Sequence, residues 1–208
     1  EVGGDYGPYY QSERAELHKE LVASLLKNEK AYYDFLSLEE TAGLRELHRD
    51  AKSFTAAVRS RNTPLRFQLE DGEKAPVRFM VPEGETVIAD LVRGEVKVQN
   101  CDIEDFVIAR ANESVLYNLA VVGDDHGMAI THVVRGEDHL SNTFKQKLLF
   151  EALCFKVPQY AHIPLILAPG GGKLSKRHDA VSVTEYEEKG YLPEAMINFL
   201  ARMGWSYD

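Results

Sequence analysis

The stretch HVVRGEDHLSNTFKQKLLFEALCFKVPQYAHIPLIL, residues 132–167, decides the fold. It opens on an apolar run ending at Arg135, closes on a second apolar run, and carries a helical pattern between them. Phe144, Leu148, Leu149 and Leu153 share one face of that helix, and Thr143 with Gln146 reads as a capping box at its start. Strand, helix, strand is a βαβ crossover, so this half of the chain reads as parallel α/β.

The neighbouring segments extend the pattern. FVIAR, VLYNLAVVGDD, MAITHVVRGED and HIPLILAP all read as strands, the last three apolar enough to be covered on both faces. Before them, LRFQL, VRFMV, TVIADLV and EVKVQ alternate with EDGEK, PEGE and RGE turns, the pattern of one small antiparallel sheet. Near the start, Leu17, Leu21, Val22 and Leu25 predict a helix over 12–30 with Ser12 as its N-cap. A second, charged helical stretch runs from Ser37 to Arg61. A last helix starts after Pro193 and stops at Gly204. No internal repeat is visible.

With 208 residues, 44% of them apolar, the chain can bury one large core or two small ones. A net charge of −9 argues against nucleic-acid binding through bulk positive charge. The charge is uneven, however. Between Ser141 and His178 stand six Lys/Arg and one acid, so any polyanion site is local. Cys101 and Cys154 lack metal-ligand spacing and read as free thiols of a reducing compartment. Neither a signal-peptide core nor an apolar run of about 18 residues occurs, which predicts a soluble, cytoplasmic protein. The chain starts on Glu1 rather than Met, as a fragment or processed chain does.

Four places hold residues suited to chemistry. In GGGKLSKR, residues 170–177, glycines permit close backbone approach and Lys173 and Lys176 offer two ammonium charges to phosphate oxygens. It is not a Walker loop: Leu167 stands where the first glycine belongs and Leu174 where Ser/Thr would hold Mg²⁺. Loops beyond strand ends are where open α/β sheets bind ligands, and a solvated loop with incidental lysines is the competing reading. Arg135, just past its strand, either grips a carboxylate or phosphate bidentately or pairs internally with Glu137 or Asp138. Tyr117 and Asp124–Asp125–His126 look like an acid–base cluster, but neighbours on a strand face opposite ways and Gly-Asp-Asp is turn chemistry, so a structural turn is favoured. His162 either faces a nucleotide or is a hydrogen-bonded structural histidine.

Taken together, LYNLAVVGDDHGMAITHVVRGEDHLSNT, HIPLIL, KLSKR and GYLPEAMINFLARMGWS resemble the glutamyl-tRNA synthetase family, class I aminoacyl-tRNA ligases of the Glu/Gln group. GPYYQSER, KAYY and VPEGETVIADLVRGEV resemble the entry to that family's acceptor-stem insertion and its β-rich part, so the likeness covers essentially the whole chain. It implies an α/β fold: the second half of a class I Rossmann-type nucleotide-binding domain, an inserted α+β acceptor-stem domain, and the start of a helical stem-contact region. The implied boundaries are 1–30 for the end of the first Rossmann half, 31–106 for the insertion, 107–168 for the second half, and 169–208 for the KLSKR loop and stem-contact region.

The implied activity has two steps. Glutamate attacks the α-phosphorus of ATP, giving glutamyl-adenylate and pyrophosphate, and the glutamyl group then passes to the 3′-terminal ribose of tRNA(Glu). By the matched motifs, Lys173 and Lys176 are catalytic and hold the phosphates with Ser175 and Arg177, while Leu165, Ile166 and His162 line the ATP site. Arg135 and Tyr117 bind glutamate, and Mg²⁺ arrives with ATP. The implied partners are the tRNA acceptor stem, glutamate and ATP, in a monomer without membrane contact.

The departures from the family pattern also count. The His-Ile-Gly-His signature and the anticodon-binding domain are not in these residues, which predicts that the chain alone does not catalyse. Asp34 and Leu36 stand where zinc-binding members carry cysteines, so no zinc is expected. The loop before Tyr117 reads NESVL instead of carrying Gly and Pro, and Tyr10 replaces a common arginine. Other readings are a glutaminyl-type or modified-tRNA ligase, a non-catalytic tRNA-binding fragment, and, least, a phosphate-loop hydrolase.

Overall fold

A computed structural model describes residues 4–165 and 182–202. Contacts divide the chain into two units. The first takes in Glu1–Arg135 and His139–His162, and the second takes in Gly136–Asp138 and Ile163–Asp208.

The first unit begins with a 3₁₀ turn, Gln11–Arg14, that leads into α1 (Ala15–Lys27). Ser12 is therefore not the N-cap: it lies inside the 3₁₀ turn, and no side chain caps α1. The charged stretch after β1 (Ala31–Tyr33) is two helices, α2 (Leu38–Leu47) and α3 (Ala51–Arg61). Two local caps explain the break. Ser37 and Glu40 form a reciprocal capping box on α2, and Asp50 restarts the chain by accepting from the Ser53 N–H at 2.8 Å.

The predicted single antiparallel sheet is in fact split between two sheets. Strand β2 (Val77–Phe79) pairs antiparallel with β1 on one side and β5 (Val107–Ala109) on the other. Strands β3 (Glu85–Asp90) and β4 (Gly94–Gln99) form a hairpin with Glu85 opposite Gln99 and Asp90 opposite Gly94. LRFQL forms no strand. Arg66 makes a single bridge to Tyr33 there.

The VLYNLAVVGDD segment is also corrected. Its residues form helix α4 (Tyr117–Gly127), with Leu119, Ala120, Val122 and Gly123 buried at helical spacing. Its apolar character suggested a strand covered on both faces, but the burial at helical spacing decides. A Cβ on Gly123 would come within 2.6 Å of Leu21 Cδ1, so this glycine lets α1 lie close against α4.

The strand–helix–strand order holds among the described residues as β6 (His132–Gly136), α5 (Leu140–Ala152) and β7 (Gln159–Ile163), the second strand starting before HIPLILAP and ending at Ile163. Helix α5 starts before Thr143, so Thr143 and Gln146 are not its cap. Both are buried instead. The hairpin joins this layer through β3, which runs parallel to β7 with Asp90 beside Tyr160, giving the order β4-β3-β7-β6.

The main core gathers Leu25, Phe79, Ile88, Ile108, Leu119, Val122, Leu148, Leu149, Phe150 and Tyr160. A smaller core holds Tyr32, Leu44, Phe54 and Val58. Beside it lies a polar layer. Asp34 accepts from Arg78 Nε at 2.5 Å, Asn62 Nδ2 at 2.9 Å and the Leu36 N–H at 3.1 Å. Asp105 accepts from the Tyr32 hydroxyl, Arg59 and the Val81 N–H. Such charges survive burial only because each is paired and hydrogen-bonded.

In the second unit, α6 (Val183–Glu188) and α7 (Pro193–Arg202) are described. Cys101 and Cys154 are free and exposed. No described helix is long and apolar enough to cross a membrane.

Candidate active site

The site is built around Arg135, one residue before the end of β6. Its guanidinium is held by hydrogen bonds to groups other than carboxylates. Nε donates to His162 Nε2 at 3.3 Å, and Nη2 reaches Thr143 Oγ1 at 2.7 Å, Gln146 Oε1 at 2.8 Å and the His139 carbonyl at 3.4 Å. None of these partners is a carboxylate, and none of these bonds uses Nη1. The arrangement orients the positive charge and leaves Nη1 out of these bonds, as an anion site requires.

Helix α5 supplies two of those partners. Thr143 and Gln146 are three residues apart and therefore share the helix face turned toward β6. Gln146 Nε2 in turn donates to Asn118 Oδ1 at 3.3 Å, linking α5 to the first turn of α4. Tyr117, which opens α4, is half-exposed, and its hydroxyl lies 3.3 Å from His139 Nδ1. His139 thus touches both Arg135 and Tyr117, so the two residues read as glutamate-binding border one site.

The imidazole of His162 is fully buried, with both nitrogens engaged. Nδ1 lies 2.6 Å from Asp90 Oδ2 and Nε2 lies 2.9 Å from Thr143 Oγ1. This is the geometry of a hydrogen-bonded structural histidine. Asp90 also accepts from the backbone N–H groups of Val92, Arg93 and His162. Burial alone would raise its pKa. The hydrogen bonds from Arg93, the His162 ring, Val92 and the His162 backbone outweigh that and hold it at about 2.

Two further groups border Arg135. Tyr160 has its ring centroid 5.6 Å from the guanidinium, and its buried hydroxyl has no hydrogen-bond partner among the described residues. Burial pushes that hydroxyl's pKa up, against the pull of Arg135. Burial likewise raises the Asp125 carboxyl, with Arg135 opposing and Asp124 adding to the rise.

The Asp-Asp-His group sits on the last turn of α4 rather than on a strand or free turn. Asp124 accepts from Arg14 Nε at 2.7 Å and lies 2.8 Å from His18 Nε2, which fastens α1 and the preceding turn to α4. His126 stacks on Phe155 with centroids 3.5 Å apart.

Leu165 follows β7. A Cβ on Gly136 would lie 3.3 Å from Leu165 Cδ2 and 2.7 Å from Asp138 Oδ1, so the Asp138 side chain would have to turn aside for any larger residue there. Ile166, Lys173, Ser175, Lys176 and Arg177 lie outside the described residues.

Sequence reasoning missed Asp90, His139, Thr143 and Gln146 as parts of the site. Two signals were present. One was a Thr-x-x-Gln pair on an otherwise apolar helix face, and the other was a lone acid ending the apolar strand TVIAD.

Comparisons with known proteins identify the family. The family model for the catalytic domain of class I tRNA synthetases (E and Q) matches residues 1–208. The glutamate–tRNA ligase of Natranaerobius thermophilus is 46% identical over 209 residues, 98% of this chain and 43% of that protein. The ligase of Moorella thermoacetica is 47% identical over 214 residues, 99% of this chain and 43% of that protein. The chain therefore spans less than half the length of these relatives. Among solved structures, the glutamate-tRNA synthetase of Elizabethkingia anophelis superposes with a TM-score of 0.78 at 32% identity, covering 98% of this chain and 47% of that one. The Elizabethkingia meningosepticum enzyme, solved with its amino acid, gives 0.79 at the same identity and coverage. The chain belongs to the class I tRNA synthetase family of the E and Q type, within its catalytic domain.

Proposed function

We propose that this chain is the central part of a glutamate–tRNA ligase that joins L-glutamate to tRNA(Glu) through glutamyl-adenylate. The observation that carries the reading is Arg135, an oriented guanidinium at a strand end with no carboxylate among its hydrogen-bond partners and Nη1 uncommitted in those bonds. Such a group recognises the side-chain carboxylate of glutamate and disfavours the neutral amide of glutamine. Tyr117, sharing His139 with Arg135, closes the same pocket.

ATP is the second substrate and brings Mg²⁺ with it. Lys173 and Lys176 hold its phosphates and the departing pyrophosphate, assisted by Ser175 and Arg177, and Leu165 and Ile166 flank the adenine. These roles rest on the KLSKR and HIPLIL motifs. The nucleotide role first read for His162 is set aside, because both of its ring nitrogens are engaged by protein groups. The chemistry is charge neutralisation and positioning of a phosphoryl transition state, which fixed cations supply. Residues 31–106, with their own small core and paired charges, suit a rigid insertion against an acceptor stem. The remaining divisions, the end of a first Rossmann half in 1–30, a second half in 107–168 and the stem-contact start in 169–208, follow the same motifs. The protein acts as a cytoplasmic monomer.

Glutamate- and tRNA-dependent ATP–pyrophosphate exchange by the full-length gene product tests the reading. Arg135→Ala is expected to raise the glutamate KM about tenfold to a hundredfold, the cost of one charged hydrogen bond, and to leave the ATP KM within about twofold. Exchange supported by glutamine in place of glutamate, or an unchanged glutamate KM in the variant, would overturn it.

A further inference from the structure

We infer that Asp90 and His162 are positioning residues for Arg135, so that the β3–β4 hairpin sets the orientation of the substrate-binding guanidinium. The inference rests on the reading of Arg135 given above and adds the groups that make that reading work.

The three residues occupy three consecutive strands of one sheet: Asp90 ends β3, His162 lies on β7 and Arg135 on β6. Asp90 stands beside Tyr160 in the parallel pairing, so its carboxylate reaches His162, two residues further along and on the same face of β7. The resulting row is Asp90 Oδ2 to His162 Nδ1 at 2.6 Å, then His162 Nε2 to Arg135 Nε at 3.3 Å. Thr143 Oγ1 braces it, 2.9 Å from His162 Nε2 and 2.7 Å from Arg135 Nη2.

Hydrogen bookkeeping gives this row a direction. A guanidinium Nε only donates, so in that contact His162 Nε2 accepts, and the single Thr143 hydroxyl hydrogen then turns to the same nitrogen rather than to the His139 carbonyl 3.2 Å away. The imidazole hydrogen must then sit on Nδ1, where the Asp90 carboxylate, an acceptor only, receives it. Asp90 thereby selects the tautomer that Arg135 needs. The backbone of the hairpin in turn fixes Asp90, since Val92 and Arg93 donate to its Oδ1 at 3.0 and 2.9 Å. Nothing in this row needs Asp90 to touch substrate. It acts through His162.

Asp90→Asn separates this role from simple packing. The amide has nearly the same shape, but its Nδ2 donates. Turned toward His162, it draws the ring hydrogen to Nε2, where that hydrogen meets the Arg135 N–H and drives the guanidinium off its position. Thr143→Val removes the brace with little change of volume, and Thr143→Ser restores the hydroxyl.

The test is a double-mutant cycle on ATP–pyrophosphate exchange by the full-length gene product, with glutamate and ATP varied separately. Asp90→Asn is expected to raise the glutamate KM at least about fivefold with the ATP KM within about twofold, and to have no further effect on glutamate KM in an Arg135→Ala background. Thr143→Val is expected to do the same and Thr143→Ser to recover most of the loss. If Asp90→Asn lowers the yield of folded protein, the Thr143 pair carries the test alone. The proposal is overturned by equal effects on both substrates, by an Asp90→Asn effect that persists in full without Arg135, or by a Thr143→Ser enzyme as impaired as Thr143→Val. An Arg135→Ala enzyme with normal glutamate KM would instead overturn the ligand reading itself, and this proposal with it.

Discussion

Asp90 receives four hydrogens, from Val92, Arg93 and both the backbone and the ring of His162, inside a side-chain environment closed to solvent. Its charge is therefore tied to folding. The pKa is depressed to about 2 from an ordinary 3.8, so Asp90 contributes stability that is fully present above about pH 4 and disappears as pH falls toward 2. The expected size is about 2 kcal/mol. Chemical denaturation across pH 5 to pH 2 should show this loss in the native protein, and Asp90→Asn should flatten that part of the curve. An identical acid slope in the variant would assign the loss to other carboxylates.

At the scale of elements, close approach between helices depends on what is missing from a side chain. Gly123 faces α1, and Leu21 Cδ1, His18 Cδ2 and Leu17 Cδ2 lie 2.6, 3.3 and 3.4 Å from where its Cβ would be. Gly123→Val adds branched bulk against Leu21, so the Leu21 side chain must turn aside or α1 and α4 must separate. We expect a loss of about 1–3 kcal/mol, read as a lower denaturation midpoint at unchanged slope. A variant as stable as the parent would show that α1 shifts at no cost. The same contact feeds the Arg14–Asp124 and His18–Asp124 pairs, so their loss would accompany the separation. The caps on α2 and α3 were different in kind. Ser37 with Glu40, and Asp50 with Ser53, were written in neighbouring residues, yet charge density masked the break between the two helices.

At the scale of the whole molecule, legibility followed the range of the interaction. The strand–helix–strand order was readable because its periodicity is local, and Arg135 stood out because a cation ending an apolar strand is unusual. Helix α4 was misread because its apolar character suits a strand covered on both faces while burial on α1 and α5 favours a helix. The division of β2, β3 and β4 between two sheets was not readable at all. The partner of β3 lies on β7, and no local pattern names it. The groups behind Arg135 were hidden for the same reason: Asp90, Thr143 and His162 meet only after that pairing forms.

That pairing also has a consequence in time. Asp90 and His162 stand 72 positions apart, and closing so long a segment consumes chain entropy before any contact repays it. Local units, such as the β3–β4 hairpin and the α4–β6–α5 neighbourhood, can assemble first. The seam between β3 and β7 then closes after the transition state. Breaking it should therefore quicken unfolding and leave refolding almost untouched. Stopped-flow chevrons of Asp90→Asn would show a raised unfolding arm beside an unmoved folding arm, whereas a slower folding arm would place the seam in the nucleus. On this ordering, the guanidinium of Arg135 acquires its orientation only in the last stage of folding.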